Sequence, residues 1–180
     1  VTLVYPLIGA GRFRVHIFRQ RASIGLAVRA QPGRPRTFRE LGLPPAWTHL
    51  CSRQTGLVLI TSGADQGRTT TMGAMVGVLN EATPARRIVT VGNSIELAWS
   101  DKTAWTAQRA IGIDAPNWPS AVKGVIAQGA DVIALDDVDD AETWQLAIDA
   151  AERGILVLAT VAARDVGTAI EKILATVSPD

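Results

Sequence analysis

Residues 62–69 read S-G-A-D-Q-G-R-T, after the apolar run G-L-V-L-I-T and ahead of an Ala/Met/Val-rich stretch. Length and setting are those of the phosphate-loop pattern G-x-x-x-x-G-K-[ST]. In that pattern the amides of a strand-to-helix turn cradle phosphates, a lysine reaches them and a hydroxyl takes Mg²⁺. Gly67 fills the second glycine and Thr69 the hydroxyl, whereas Ser62 replaces the first glycine and Arg68 the lysine. The competing reading is an ordinary strand-to-helix loop capped by Asp65 or Thr69. Other reactive chemistry is sparse. The single cysteine, Cys51, excludes an intramolecular disulfide and reads as a small buried apolar residue; His16 and His49, without a Cys/His cluster, give zinc no support.

The elements that must position this loop follow from texture. From Gly56 onward, wholly apolar β-rich runs at 57–61, 87–91, 131–135 and 155–161 alternate with helix-length stretches at 68–81, 119–128 and 141–153. Strands apolar on both faces and separated by helices predict an α/β core with a parallel sheet covered on both sides. Asp139 with Glu142 has the spacing of a capping box, and Gly154 is a helix stop. Residues 2–30 instead alternate as antiparallel strands: Phe13, Val15 and Ile17 face one side, Arg12, Arg14 and His16 the other, with G-A-G at 9–11 as a hairpin signal. Q-P-G-R-P-R at 31–36 reads as a linker, and short helical pieces broken at Pro44-Pro45 fill 37–53.

A net charge of +1 hides a polarised chain: residues 1–39 carry eight arginines and no acid, whereas 131–180 carry eleven acids against Arg153, Arg164 and Lys172. Either these are two solvated surfaces, or the basic end meets phosphates or an acidic neighbour. Aromatic residues are not interleaved with the arginines as single-stranded nucleic-acid sites prefer, so no nucleic acid is expected as a partner. Apolar runs stop short of the ~20 residues a membrane span needs. With no signal-peptide pattern at the start, the expected compartment is the cytoplasm.

Longer stretches carry a resemblance. G-R-F-R-V-H-I-F-R-Q-R-A-S-I-G-L-A-V-R-A followed by T-F-R-E-L-G-L-P-P, then G-L-V-L-I-T, T-T-T-M-G-A-M, V-T-V-G-N-S-I-E, Q-R-A-I-G-I-D and A-D-V-I-A-L-D-D-V-D-D-A-E-T-W-Q-L-A-I-D-A-A-E-R-G stand in collinear order. Together they resemble the PilT/GspE superfamily of type IV pilus and type II secretion ATPases, most of all its pilus-retraction branch. The resemblance implies a PAS-like N-terminal domain, of which residues 1–30 would be the C-terminal part. It further implies a linker at 31–36 and a RecA-like P-loop NTPase core over 37–180 without the family's C-terminal helices. ATP with Mg²⁺ is the implied ligand. The implied assembly is a homo- or hetero-hexamer with paralogous motor ATPases, docked on the inner-membrane pilus platform protein from the cytoplasmic side. Carried over by position, the nucleotide-binding candidates are Gly63, Gly67, Arg68, Thr69 and Thr70, with Arg12, Arg14, Arg19 and Arg21 reaching in at a domain or subunit boundary. Mg²⁺ would fall to Thr69 and Asp137.

The chain departs from that pattern where the chemistry lies. Asp65 stands where the family usually has glycine. A carboxylate ~4 Å from phosphate costs roughly 4 kcal/mol at an effective dielectric near 20, nearly three decades of affinity unless it turns outward. Arg68 keeps a charge with a bulkier, planar head. Gly92-Asn93 replace an adjacent Glu-Asp whose Glu is regarded as catalytic, and neither can act as a base. Glu96 matches a later acid of the same box. Asp136-Asp137 replace Gly-Glu, so Asp137 is one methylene short; it either serves Mg²⁺ or belongs to an acidic turn. Ile155 and Ala162 replace two histidines and Ala127 an arginine. The expectation is a non-hydrolysing or weakly nucleotide-binding subunit or regulator of a pilus or secretion motor. The alternative is an active ATP-hydrolysing motor, with Asp137 and Glu96 as its catalytic candidates.

Overall fold

The computed structural model describes residues 1–31, 33–63 and 66–178. Among them the strands form two sheets. Thr2–Leu7 (β1), Gly11–Gln20 (β2) and Ser23–Ala30 (β3) make an antiparallel meander in the order β1-β2-β3. The second turn is a two-residue hairpin with Arg21 at φ 45° and Ala22 at φ 61°, the doubly positive geometry that matches strand twist. Register places Leu3, Val15 and Val28 side by side, with Ile17 opposite Leu26 and Tyr5 opposite Phe13. One face of this sheet is therefore apolar, and on it Leu3, Tyr5, Leu7, Ile24, Leu26 and Val28 stay exposed. Arg12, Arg14 and His16 occupy the other face, which the sequence alternation expects.

The core follows. A one-turn 3₁₀ helix at Pro45–Trp47 leads into Thr48–Cys51 (α1), so the helical pieces expected to fill 37–53 form only after Pro44, and residues 37–44 run as turns and extended chain. Then come Gly56–Ser62 (β4), Arg68–Glu81 (α2), Arg87–Gly92 (β5), Trp105–Ala110 (β6), Trp118–Ala127 (α3), Val132–Asp136 (β7), Ala141–Glu152 (α4), Leu156–Ala162 (β8) and Val166–Val177 (α5). The five strands pair in parallel in the order β4-β8-β7-β5-β6. Alternate residues of each strand feed two cores. Val89, Ile133, Leu135 and Val157 pack with α3, α4 and α5 on one side, and Ile88, Val132, Ala134 and Leu158 pack with α1 and α2 on the other. Burial of both strand faces is what made these runs apolar throughout.

Helix starts are set by side-chain caps that satisfy otherwise orphaned amides. Asn117 accepts from the Ser120 amide at 2.9 Å and Asp165 from the Thr168 amide at 2.8 Å. The expected Asp139–Glu142 capping box is displaced by one residue: Asp140 is the last extended residue before α4 and accepts from the Thr143 amide at 2.8 Å. Val138, just ahead of this start, is buried in the core. Gly154, at φ 99°, takes the left-handed position after α4.

Cys51 is 3% exposed against Met75, as the sequence predicts for a small apolar role. Burial pushes its thiol up to about 11, above the ordinary 9.0, with Arg86 pulling weakly the other way. Two units cut the thiolate fraction at pH 8 about 100-fold. A disulfide reagent is expected to label the folded chain about 100-fold more slowly than the chain in denaturant. Because the fold favours the neutral thiol, this group's contribution to stability is intact below the unfolded pKa near 9 and is lost as pH rises toward about 11.

Candidate functional site

β4 ends at Ser62 and α2 begins at Arg68, with Gly67 at φ 91° as the residue before the helix, a conformation a side chain would strain. Ala64 and Asp65 lie outside the described residues, and with them the expected position of the Asp65 carboxylate. Gln66 closes the loop by accepting from the Gly63 amide at 3.1 Å. The Arg68 guanidinium folds back over the loop, donating to the Ser62 carbonyl at 2.7 Å and the Gly63 carbonyl at 2.9 Å. Its other arm reaches Asp137 Oδ1 at 3.3 Å. Arg68 thus adds a charged donor to two carbonyls that already accept, from the Ala163 amide and the Ser62 hydroxyl respectively, and keeps a positive charge at the loop.

At the C-terminal end of the sheet a second cluster stands beside it. Thr69 Oγ1 donates to the Asp136 carboxylate at 2.9–3.0 Å, and Thr160 Oγ1, from β8, donates to Asp136 Oδ1 at 2.8 Å. The Thr160 hydroxyl in turn accepts from the Asp137 amide at 2.7 Å. Burial pushes the Asp136 carboxyl above the usual carboxylate range; the Thr160 and Thr69 hydroxyls oppose that, and Asp137 adds to it. Asp137 leaves the strand at φ 68°, with its side chain 60% exposed beside Arg68.

The N-terminal sheet supplies the far wall. Arg14 Nη1 meets Glu96 Oε1 at 2.6 Å and Arg12 Nη2 donates to the Ile95 carbonyl at 2.7 Å. These two contacts fasten β2 to the segment that follows β5. Between the wall and the loop lies a cavity of about 240 Å³. Arg14, Arg29 and Arg68 line it together with Glu96, Asp136 and Asp137, alongside Gly67, Thr69, Thr70 and Asn93. Charge on the described lining is thus nearly balanced, and an anion entering it competes with carboxylates for the same guanidinium groups.

The structure therefore brings together Gly67, Arg68, Thr69, Thr70, Arg14, Glu96 and Asp137, with Gly63 in the adjoining turn and Arg12 one contact away. It does not bring Arg19 and Arg21 there. Arg19 lies five residues along β2 from Arg14, hence on the opposite face, and Arg21 sits in the hairpin turn at the far end. Two charged lining residues went unread in the sequence. Arg29 is the strand partner of Arg14, a pairing visible only once hairpin register is known. Asp136 was passed over in favour of its neighbour.

The residues present fit a magnesium ion. Thr69 and Asp136 offer hard oxygen donors, and Mg²⁺ asks the protein for one or two of these, keeping waters and phosphate oxygens for the rest. Among the described residues no group of three His, Cys, Asp or Glu is placed for a metal.

A five-stranded parallel sheet flanked by helices, with a glycine-punctuated loop after its first strand and an antiparallel sheet before it, defines a RecA-like ATPase fold. Residues 37–179 match the family described as "Type II/IV secretion system protein", and the chain belongs to that family. It is 35% identical over 163 residues to the uncharacterized protein YggR of Escherichia coli, covering 91% of this chain and 50% of YggR. To the type IV pilus ATPase PilU of Pseudomonas aeruginosa it is 32% identical, over 92% of this chain and 43% of PilU. The crystal structure of the pilus retraction motor PilT with bound ADP aligns with a TM-score of 0.91 at 33% identity, over 97% of this chain and 50% of that one. The chain spans about half the length of the curated relatives it matches. No helix among the described residues is long and apolar enough to cross a membrane.

Proposed function

We propose that this chain is a PilT-like member whose site admits a nucleoside phosphate with Mg²⁺ but does not hydrolyse it, and that it acts as a subunit or regulator within a pilus or secretion motor. One observation carries the reading: every carboxylate on the described cavity lining is already engaged. Glu96 is tied to Arg14, Asp137 to Arg68, and Asp136 to two hydroxyls. β5 ends at Gly92 and Asn93 follows it, neither an acid, so among the described residues no unpaired carboxylate is left on the lining to orient or deprotonate a water at the terminal phosphate.

In this reading Arg68 and the loop amides hold phosphate, Arg14 serves at the wall, and Mg²⁺ supplies charge neutralisation across the phosphates. Residues 1–30 act as the end of a PAS-like domain, 31–36 as a linker and 37–180 as the core. The arginine-rich start and the acid-rich end suit head-to-tail contact between subunits of a hexamer, alone or with active paralogues, at the cytoplasmic side of the pilus platform. Arg19 and Arg21, turned away from this chain's own cavity, are then available to a neighbouring subunit's site.

An active motor is the second reading, favoured by the Thr69–Asp136 contact, which a functioning metal site would keep. The two separate cleanly. With Mg²⁺ and ATP, the purified chain is expected to bind a fluorescent nucleotide analogue yet release phosphate no faster than the Thr69→Ala variant. Turnover that Thr69→Ala abolishes would establish the motor reading instead.

A further inference from the structure

β6 is an edge of the core sheet, and its ladder shows which of its backbone groups look outward. The amides of Trp105 and Ile111 bond the Arg86 and Gly92 carbonyls on the β5 side, each at 3.0 Å. Trp105, Ala107 and Arg109 therefore spend their backbone groups on β5, whereas Thr106, Gln108 and Ala110 turn theirs away from it. Such an edge is a template for a further strand unless something covers it.

Two of these outward positions are covered by the chain itself. At Ala110 the turn that follows does so. Asp114 Oδ2 accepts from the Ala110 amide at 2.8 Å, and the Ala110 carbonyl accepts from the Asp114 amide at 2.8 Å and the Ile113 amide at 3.2 Å. At Thr106 one side chain does so: Asp101 Oδ1 accepts from the Thr106 amide at 2.8 Å and from its hydroxyl at 2.7 Å. The Thr106 hydroxyl first, and then its amide, hold the exposed Asp101 carboxyl below the usual carboxylate range. The loop that carries Asp101 is anchored without that carboxylate. Asn80, 2% exposed, accepts from the Lys102, Thr103 and Ala104 amides and donates to the Ser100 carbonyl.

Beneath the cap the edge is complementary to itself. A twofold axis through Ala107 sets Thr106 of one copy against Gln108 of the other, the outward-facing positions that exchange hydrogen bonds in an antiparallel pair. The same axis sets Trp105 across from Arg109, twice. Trp105 is 49% exposed, and the Arg109 guanidinium lies over Gly124 of α3 with no hydrogen bond or ion pair among the described residues. An indole face opposite a guanidinium is a favourable cross-strand pair.

We infer that the β6 edge is an association surface for a second copy of this chain, paired antiparallel about Ala107, and that Asp101 holds it shut. The contact is isologous, the same patch on both copies, and so differs from the head-to-tail contacts of a ring. It stands on strand geometry and is independent of the nucleotide reading above.

The test compares wild type, Asp101→Ala and Asp101→Ser by sedimentation over a concentration series, with thermal melting to establish that each is folded. Either substitution removes the carboxylate, so one folded variant is enough. That variant is expected to exceed the wild-type mass at matched concentration, and its Thr106 and Gln108 amides to exchange more slowly as concentration rises. Adding Trp105→Ala or Arg109→Ala is expected to weaken the association about tenfold, because both cation–π pairs are lost at once. Association untouched by either addition arises from another surface and overturns the inference. A folded Asp101 variant that sediments as wild type at every concentration overturns it too. Wild type that already associates through Trp105 does the same, since the edge is then not shut.

Discussion

Trp144→Ala is expected to lower the unfolding free energy by about 3–5 kcal/mol, the range for removing a large buried aromatic side chain. Trp144 is 2% exposed on α4, inside the core that joins α3, α4 and α5 to the sheet. The loss combines forfeited apolar burial with a cavity that neighbours cannot close, because they are anchored on three helices and a sheet. Against a total of about 5–15 kcal/mol the change is severe, and for a chain of this size it corresponds to a fall in melting temperature of roughly 6–20 °C. Trp105→Ala serves as the matched control. Trp105 is 49% exposed on the edge strand β6, and truncating it is expected to move stability by about 0.5 kcal/mol or less. Equal effects from the two substitutions in denaturant titrations would mean that the α4 face is not packed as described.

The second large effect is polar. Thr160 is fully buried and its hydroxyl joins two groups, donating a hydrogen bond to Asp136 and accepting one from the Asp137 amide. Thr160→Val keeps shape and volume but takes this acceptor from the Asp137 amide and leaves Asp136 with the Thr69 hydroxyl alone. At about 1–3 kcal/mol for the amide and roughly 1 kcal/mol for the hydrogen bond lost by a carboxylate that keeps another, the expected cost is ~2–4 kcal/mol. Thr160→Ser preserves the hydroxyl and removes one methyl, so its cost should stay near 1 kcal/mol. The gap between Val and Ser isolates the hydrogen bonds from the packing. The Val variant should also loosen the turn that holds Asp137 against Arg68, and nucleotide titration at a temperature where it remains folded would register that separately. A Val variant as stable as the Ser variant would mean that water replaces the hydroxyl and the cluster is open.

How far the sequence reached depended on which interactions leave a local trace. The core strands were legible because burial on both faces excludes polar residues, and α2 was bounded correctly at Arg68 and Glu81 because a loop glycine precedes it. β6, with the sequence W-T-A-Q-R-A, left no such trace: an edge strand is half open, so polar residues are tolerated and the apolar signal vanishes. α5 was likewise unread, although Asp165 caps it. The site divides in the same way. Gly67, Arg68 and Thr69 are contiguous and were found together. Asp136, Thr160 and Arg29 come from three different strands, and what unites them is register, which spacing along the chain does not encode. Choosing between two adjacent aspartates required knowing which side of β7 faces α2. The arginines show the converse: Arg12 and Arg14 share a strand face and reach the cavity wall, whereas Arg19, read as equivalent, has the opposite parity.

The order of strands has a consequence for how this molecule acquires its shape. β4, at the sheet edge, pairs with β8 alone, so that Gly56 lies beside Leu156 across one hundred positions of chain. A ribosome completes the strand leading into the phosphate-type loop long before it delivers the strand that pairs with it among the described residues. Contacts so distant in sequence are slow to close, since loop entropy must be overcome before any pairing rewards it. The reactive end of the molecule is therefore among the last parts to settle during biogenesis. A nascent chain halted before residue 156 would carry the whole S-G-A-D-Q-G-R-T motif together with β5, β6 and β7, but would lack the strand that joins β4 to them.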